Sequence, residues 1–522
     1  MSPPVRNKII HNTLYSIIGR FWSVAVALVL VPYTISLIGI DRFGIWALLS
    51  ILVGYFALLD FGIGISYTRF IAESYAKNDF DEVNRIANSG FVFYLVLSLP
   101  IICAAYFGRE IIFSFLKIDP NVYPDLIIAY YGTLIIFMFS TVLSGFTTVL
   151  QGIQKIDIVN KIAMIVTIPN FVGTVLFLHA GYKLDGLMWT SGITSFCGLS
   201  ISLFFAKKYL PSLSFNPFLF SIATVKRLLS FGLKLQFAKL ADVITFQADK
   251  TIVSFFSGIG SVGYYQIGTQ IVWRIRDLPL LLLSSLLPAA SELHALDDRK
   301  KLLDIYERGT KYLAVVSIPL MFFLSATAQI IMRAWMGEGY AASAVITQIL
   351  ITGYLFNILV GVGCTVAASM NQPDFQWHAA IVTTISNIIL VFLLGYYFGT
   401  YGIAIASTIS LIIGPAYFLI KFHRYIKVPI LKTLRSAMLF PFFVSLVISC
   451  GLWTINILFF KKLFFHGRIS NLILLGVEGL IFMGVYVMMI RSSTYFDSVD
   501  KELVMNNYLF AKVRKLISWK QR

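Results

Sequence analysis

The sequence predicts an all-α integral membrane protein of about fourteen transmembrane helices, built as two parallel, pseudo-symmetric six-helix bundles and a C-terminal helix pair. Three observations carry this reading. The 522-residue chain is 58% hydrophobic and only 13% charged, with a mean hydropathy of +0.81; a soluble protein of this size could not hide so much apolar surface. Apolar stretches of about 20 residues, the length that crosses a bilayer, recur throughout. Two stretches 219 positions apart also carry the same punctuation in register: Gly39, Gly44, Glu73, Asp79 and Gly90 return as Gly258, Gly263, Glu292, Asp298 and Gly309. A second pair repeats at an offset of 217, with Asp157, Thr167 and Asn170 against Asp374, Thr384 and Asn387. Repeated Leu or Ile says little in so apolar a chain, whereas repeated Gly and acid in register marks related halves. Membrane transporters are often built this way, with the substrate site at the pseudo-symmetry axis.

The expected helices centre near Ala27, Val53, Leu97, Phe137, Val166, Thr194, Ala241, Leu278, Pro319, Leu355, Ile389, Leu411, Val444 and Ile481. They divide the chain into an N-terminal bundle (1–210), a second bundle (211–430), an extra helix pair (431–492) and a tail (493–522). The first apolar run, Leu14 to Ile38, is too long for a cleavable signal and lacks a small-residue cleavage site, so it reads as the first crossing. Pro32, Pro169, Pro279, Pro319 and Pro415 fall inside helices; neighbours or cavity water can satisfy the backbone groups they free.

Basic residues set the orientation. With the N-terminus in the cytoplasm, the main groups fall on the inner side, as the positive-inside rule requires: Lys207, Lys208, Lys226 and Arg227; Arg299, Lys300, Lys301, Arg308 and Lys311; Lys421, Arg424, Lys427, Lys432 and Arg435. An outer loop with Lys461, Lys462 and Arg468 dissents. Six helices per half give the halves one orientation, so the repeat is parallel, and the C-terminus is cytoplasmic too. Outer loops are short, and no extracytoplasmic domain is expected. In the tail, Leu503, Phe510, Val513 and Ile517 recur at helical spacing among Lys512, Arg514, Lys515, Lys520 and Arg522. This is the pattern of a basic amphipathic helix on the inner leaflet.

The net charge of +17 is therefore read as membrane topology, with no nucleic-acid partner. Cys103, Cys197, Cys364 and Cys450 lie far apart in apolar runs and read as small core residues. The six histidines have no metal-ligand spacing, and Walker, HExxH and GxSxG motifs are absent. No cofactor, metal or catalytic constellation is expected.

Charges inside the helices are the informative residues, because an ionised group there costs about 2.5–3.5 kcal/mol on insertion scales and normally faces a cavity or partner. Arg20 in helix one is matched, 219 positions on, by Lys239 in helix seven. Asp242 lies one turn after Lys239 and can neutralise it. The plainer alternative has Arg20 snorkelling to the inner interface and Lys239 paired structurally. In helix eight, Arg274 and Asp277 share a face, with Arg276 about 200° round from Arg274; Arg274 is favoured for a cavity because Asp277 accompanies it. Asp60 opens the run Asp60-Phe61-Gly62-Ile63-Gly64, where the glycines serve packing or function. Arg69 and Glu73, at the inner end of helix two, read as part of a cytoplasmic gate or as a solvated helix end. Asp249 and Lys250 read as an interfacial ion pair.

The pattern Ile38-Gly39-x4-Gly44-x-Trp46, then Asp60-Phe61-Gly62 and Arg69-x3-Glu73, with Asp249-Lys250 and Val262-Gly263-Tyr264-Tyr265 in the second half, resembles a known family. It is similar to the polysaccharide-export branch of the multidrug/oligosaccharidyl-lipid/polysaccharide exporter superfamily, and within it to Wzx-type O-antigen flippases. The resemblance runs from about residue 8 to 430. It implies fourteen helices and export of an isoprenoid-pyrophosphate-linked oligosaccharide across a bacterial cytoplasmic membrane, with a polysaccharide polymerase and a chain-length regulator as partners. Arg274-x2-Asp277-x-Pro279 resembles the basic/acidic pair before a proline in helix eight of related lipid II flippases.

Arg20, Lys239 and Arg274 are thus expected to bind the pyrophosphate in a central cationic cavity, through charge-assisted hydrogen bonds. Asp60, Asp242 and Asp277 are their charge partners or ion-coupling groups. Two alternatives remain: a cation-coupled multidrug exporter of the same superfamily, which should carry an acidic cavity, and a membrane glycan polymerase or ligase, which should carry a sizeable outer loop.

Overall fold

The computed structural model describes residues 3–214, 216–280, 283, 286–456, 458, 467–498 and 500; within its helices, the side chains of 3–18, 20, 21, 234, 235, 237–239, 241 and 242 lie outside the description. No strand occurs among the described residues. The helices are α1 (Pro3–Ala57), α2 (Ile63–Ala76), α3 (Phe80–Phe107), α4 (Arg109–Phe115), α5 (Leu126–Leu143), α6 (Gly145–Gly152), α7 (Ile156–Ile165), α8 (Thr167–His179), α9 (Lys183–Tyr209) and α10 (Ile222–Ser257). They continue with α11 (Ile259–Leu280), α12 (Leu286–Ala295), α13 (Arg299–Trp335), α14 (Ala341–Leu359), α15 (Gly361–Ser369), α16 (Asp374–Ile426), α17 (Ile430–Thr433), α18 (Leu439–Ile455) and α19 (Arg468–Ser492).

Among the described residues, ten helical spans are long and apolar enough to cross a membrane, which makes this a multi-pass membrane protein. The two longest, Trp22–Asp60 and Asp374–Ile426 with 39 and 53 residues, run to about twice the roughly 20 residues of one crossing or more. Both are broken at a glycine, Gly39 (φ 81°) and Gly399 (φ 55°). The stretches expected as helices seven and eight, within α10 and α11, are not among the ten; they carry the intramembrane charges.

The chain divides into two compact units, Met1–Ile267 with Thr384–Ser407, and Gly268–Thr383 with Thr408–Arg522. In the first, Ile63, Tyr67 and Ile71 of α2 meet Val83 and Ile86 of α3, Val149 and Leu150 of α6, and Leu228 of α10 in one buried cluster. The chain turns sharply before α2, where Gly62 (φ 77°) packs against the Gly232 backbone of α10 so closely that a Cβ there would lie 2.2 Å from the Gly232 carbonyl oxygen. The segment after α9 is pinned to α3 by two carboxamides. Asn84 donates to Ser212 O (2.9 Å) and accepts from Ser214 N (2.8 Å); Asn88 donates to Ser214 O and accepts from Asn216 N, both at 2.9 Å. An asparagine side chain copies the donor and acceptor of a backbone amide, so these two act as a short strand edge.

In the second unit, α13 packs against α14, α18 and α19. Phe322 and Phe323 of α13 meet Val444 and Leu452 of α18 and Phe482 and Tyr486 of α19. Beyond α19 the chain folds back on α13, and the fully buried Asp500 carboxylate accepts from Arg308 Nη1 (2.6 Å), Lys311 Nζ (2.5 Å) and Tyr312 OH (2.7 Å). The amphipathic tail helix expected over 493–522 lies, past Asp500, outside the described residues, as do Lys461 and Lys462.

Candidate functional site

The expected cationic site is only partly within the description. Arg20 lies in α1, and Lys239 and Asp242 lie in α10, but these three side chains are outside it. In α11, Arg274 is half-buried and Asp277 exposed, with Asp277 the opposite charge beside Arg274. The neighbouring Arg276 is engaged elsewhere: its Nε and Nη2 donate to Asn357 Oδ1 of α14 at 3.2 and 2.9 Å, and its guanidinium lies 5.8 Å from the Tyr354 ring.

Asp60 ends a single 3-10 turn (Leu58–Asp60) that closes the first long span. Its Oδ1 accepts from Gly62 N at 2.9 Å, stabilising the two left-handed residues, Phe61 and Gly62, that break the helix. The carboxylate lines a cavity of about 280 Å³ with the oxygen-bearing side chains of Tyr94, Ser98, Ser140, Thr141 and Ser144. Phe56, Leu97, Ile101, Phe137 and Met138 also line it, so the recess is mostly apolar with the Asp60 carboxylate on its wall.

Arg69 and Glu73 belong to a network of the first unit. Arg69 lies over the Phe231 ring at 4.1 Å. Glu73 pairs with Lys77 (2.8 Å) and Arg227 (3.6 Å), and Arg227 reaches Glu82 (3.4 Å) while stacking on Phe70 at 4.2 Å. Lys77 holds the exposed Glu73 carboxyl below its ordinary value, and Arg227 adds to that. Arg227 thus ties α10 to both α2 and α3.

Two buried acids differ from or escape the sequence reading. Asp249 is not surface-paired. It is 6% exposed, and its Oδ2 accepts from Tyr265 OH of α11 (2.9 Å) and Ser407 Oγ of α16 (2.5 Å), with Asn387 Nδ2 3.4 Å from that hydroxyl. Its Oδ1 has no hydrogen-bond partner among the described residues. These partners lie 16 and 158 positions away, out of reach of local pattern. Glu478 of α19 is 3% exposed; its signal was a lone acid in an apolar helix.

Long apolar helices, two of them broken at glycines, define a multi-pass, all-α membrane protein. The family model described as "Polysaccharide biosynthesis protein" matches residues 9–294, more than half of the chain, and the protein belongs to that family. A second, "Lipid II flippase MurJ", matches residues 223–475. Similar curated proteins include a "Putative O-antigen transporter" of Shigella flexneri, 20% identical over 78% of this chain and 95% of its own length. Another is the "Uncharacterized membrane protein EpsK" of Bacillus subtilis, 22% identical over 76% of this chain and 79% of its own. Among solved structures, the fold is similar to "Lipid II flippase MurJ, inward closed conformation" (TM-score 0.68, 19% identity, 92% of this chain and 97% of that one). It is also similar to an inward-facing "multidrug resistance MATE family transporter of the MOP superfamily" (TM-score 0.64, 14% identity, 77% of this chain and 94% of that one). The resemblance drawn from the sequence motifs is borne out.

Proposed function

We propose that the protein is a flippase that moves an isoprenoid-pyrophosphate-linked oligosaccharide from the inner to the outer leaflet of a bacterial cytoplasmic membrane, for surface polysaccharide assembly. The observation that carries this is the joint match to a polysaccharide biosynthesis family over 9–294 and to a lipid II flippase family over 223–475. A lipid-linked glycan is the substrate class that fits both.

In this reading Arg20, Lys239 and Arg274 hold the pyrophosphate, and Asp60, Asp242 and Asp277 balance their charge or couple transport to a cation. Arg69 and Glu73 belong to the cytoplasmic gate. The two repeats, 1–210 and 211–430, alternate access to the site, the pair 431–492 stands outside them, and both termini are cytoplasmic. An inside-negative potential favours outward passage of the anionic headgroup, by about 2.3 kcal/mol per charge per 100 mV. A polymerase and a chain-length regulator act on the product. The protein itself makes and breaks no covalent bond.

A multidrug exporter is the second reading, supported by the likeness to the multidrug transporter fold; the half-buried Arg274 argues for an anionic substrate instead. Surface polysaccharide in strains carrying Arg20→Ala, Lys239→Ala or Arg274→Ala as the sole copy tests the cationic site. Loss in each, with the protein still in the membrane, is expected; normal surface polysaccharide in all three would refute it.

A further inference from the structure

The terminal helix pair holds a carboxyl that the transport reading does not use. Glu478 is 3% exposed and stands ten residues from Arg468 and thirteen from Arg491 in α19, about 15 and 20 Å from the two ends at 1.5 Å per residue. It belongs to the buried stripe Asn471, Leu474, Glu478, Phe482, Tyr486 and Ile490, so it faces its neighbours α13 and α18 rather than lipid. Both of its carboxyl oxygens are buried without a hydrogen-bond partner among the described residues. Asn456, just past α18, is the polar side chain beside it; its Oδ1 and Nδ2 are likewise buried without a partner in hydrogen-bond geometry.

Charge is missing from every described element around it. Helix α18 contains no Asp, Glu, Lys, Arg or His. In α13 the charged residues stop at Lys311 and resume only at Arg333, and Arg333 is exposed beside Glu338. The part of α13 next to Glu478 is set by Phe323, whose ring packs on Phe482 at 5.4 Å and lies 3.5 Å from where a Cβ on Gly479 would be. Lys311 and Arg333 are twelve and ten residues from Phe323, about 18 and 15 Å along the helix. An unpaired carboxylate at this depth would cost several kcal/mol, and such a group neutralises instead.

We propose that Glu478 is a proton-binding site: a neutral carboxylic acid that exchanges its proton with water and, while protonated, keeps the terminal pair seated on α13. A proton fits better than a metal cation. Glu478 and Asn456 offer three oxygens, short of a full coordination shell, whereas a carboxylic acid needs only one acceptor for its O–H, and Asn456 is the neighbouring side chain that carries one. On deprotonation the proton leaves to water and an anion remains with no counter-charge beside it among the described residues of α13, α18 and α19, so α19 and α18 loosen from α13.

The test uses full-length protein in native membranes. Dicyclohexylcarbodiimide reacts with protonated carboxyls buried in apolar surroundings, and peptide mass spectrometry locates the adduct. The proposal expects the adduct on Glu478 at about pH 6, its loss at about pH 9, and no protection by sodium. In parallel, amide exchange of α18 and α19 peptides in the purified protein is compared with E478Q, which is neutral at every pH. Exchange in the unsubstituted protein should outrun E478Q by about tenfold per pH unit once Glu478 ionises. No adduct at either pH would overturn the proposal. So would an adduct suppressed by sodium, or identical exchange in the two proteins. The labelling needs no variant, so an E478Q that fails to fold does not remove the test.

Discussion

Gly39 and Gly258, 219 positions apart, hold the same backbone conformation, φ 81° and ψ 166° at the first, φ 79° and ψ 174° at the second. The match extends beyond glycine. Asn78 and Asp297 (offset 219) are left-handed at φ 56° and 54°, and Gln154 and Asn371 (offset 217) at φ 60° and 56°. Asp79 and Asp298 each cap a helix by accepting from the amide three residues on, Glu82 N at 3.0 Å and Lys301 N at 3.1 Å. The repeat seen as letters is thus a repeat of turns and caps.

Gly258 occupies a conformation essentially reserved for glycine, and a Cβ there would meet nothing within 4 Å. Gly258→Ala should therefore cost about 1–3 kcal/mol through backbone strain alone. A thermal melt of the purified protein checks this against Gly476→Ala, a helical glycine with equally open space, where no loss is expected.

Arg274 and Arg276 should separate by phenotype. Arg276→Ala leaves the Asn357 carboxamide without its donors and should cost about 1–3 kcal/mol of stability, seen as a lower melting temperature. Arg274→Ala should leave the melt unchanged and abolish surface polysaccharide, while Arg274→Lys keeps the charge and restores it.

Asp249 should tolerate Asn and reject Leu. Asn keeps one oxygen to accept from Tyr265 and Ser407, whereas Leu removes that shared acceptor at about 1–3 kcal/mol, leaving Ser407 Oγ only its second partner, Ile403 O at 2.9 Å. The expected order of thermal stability is unsubstituted, then Asp249→Asn, then Asp249→Leu well below.

Asp500 gives a pH dependence of known sign. Burial alone would raise its carboxyl, but hydrogen bonds from Lys311 and Tyr312 outweigh that and hold it down at about 2. The docked segment therefore binds fewer protons than the free one. Docking is at full strength above the ordinary carboxylate range and is lost as pH falls through that range towards about 2. Limited proteolysis after α19 should show protection at neutral pH and cleavage in Asp500→Asn; pepsin should cut the unsubstituted segment only near pH 2.

What could be read from the sequence was local or periodic. Apolar run length exposes the crossings, and glycine and acid in register expose the repeat, because a positive φ or a helix cap demands particular residues. Partners distant in sequence are a different matter. Nothing near Asp249 announces Ser407, and the choice between Arg274 and Arg276 rests on Asn357, 81 positions away. Glu478 was open to the same rule that drew attention to the other helix charges, an ionisable group inside an apolar helix. Its importance emerges only once α13 and α18 are seen to offer it no counter-ion.

The most direct measurement is the lipid-linked glycan pool of a null mutant, assayed on each membrane face alongside surface polysaccharide. Loss of surface glycan is expected, with isoprenoid-pyrophosphate oligosaccharide accumulating on the inner face. Normal surface glycan, or single repeat units reaching the outer face in the mutant, would mean that flipping proceeds without this protein and would contradict the proposed function.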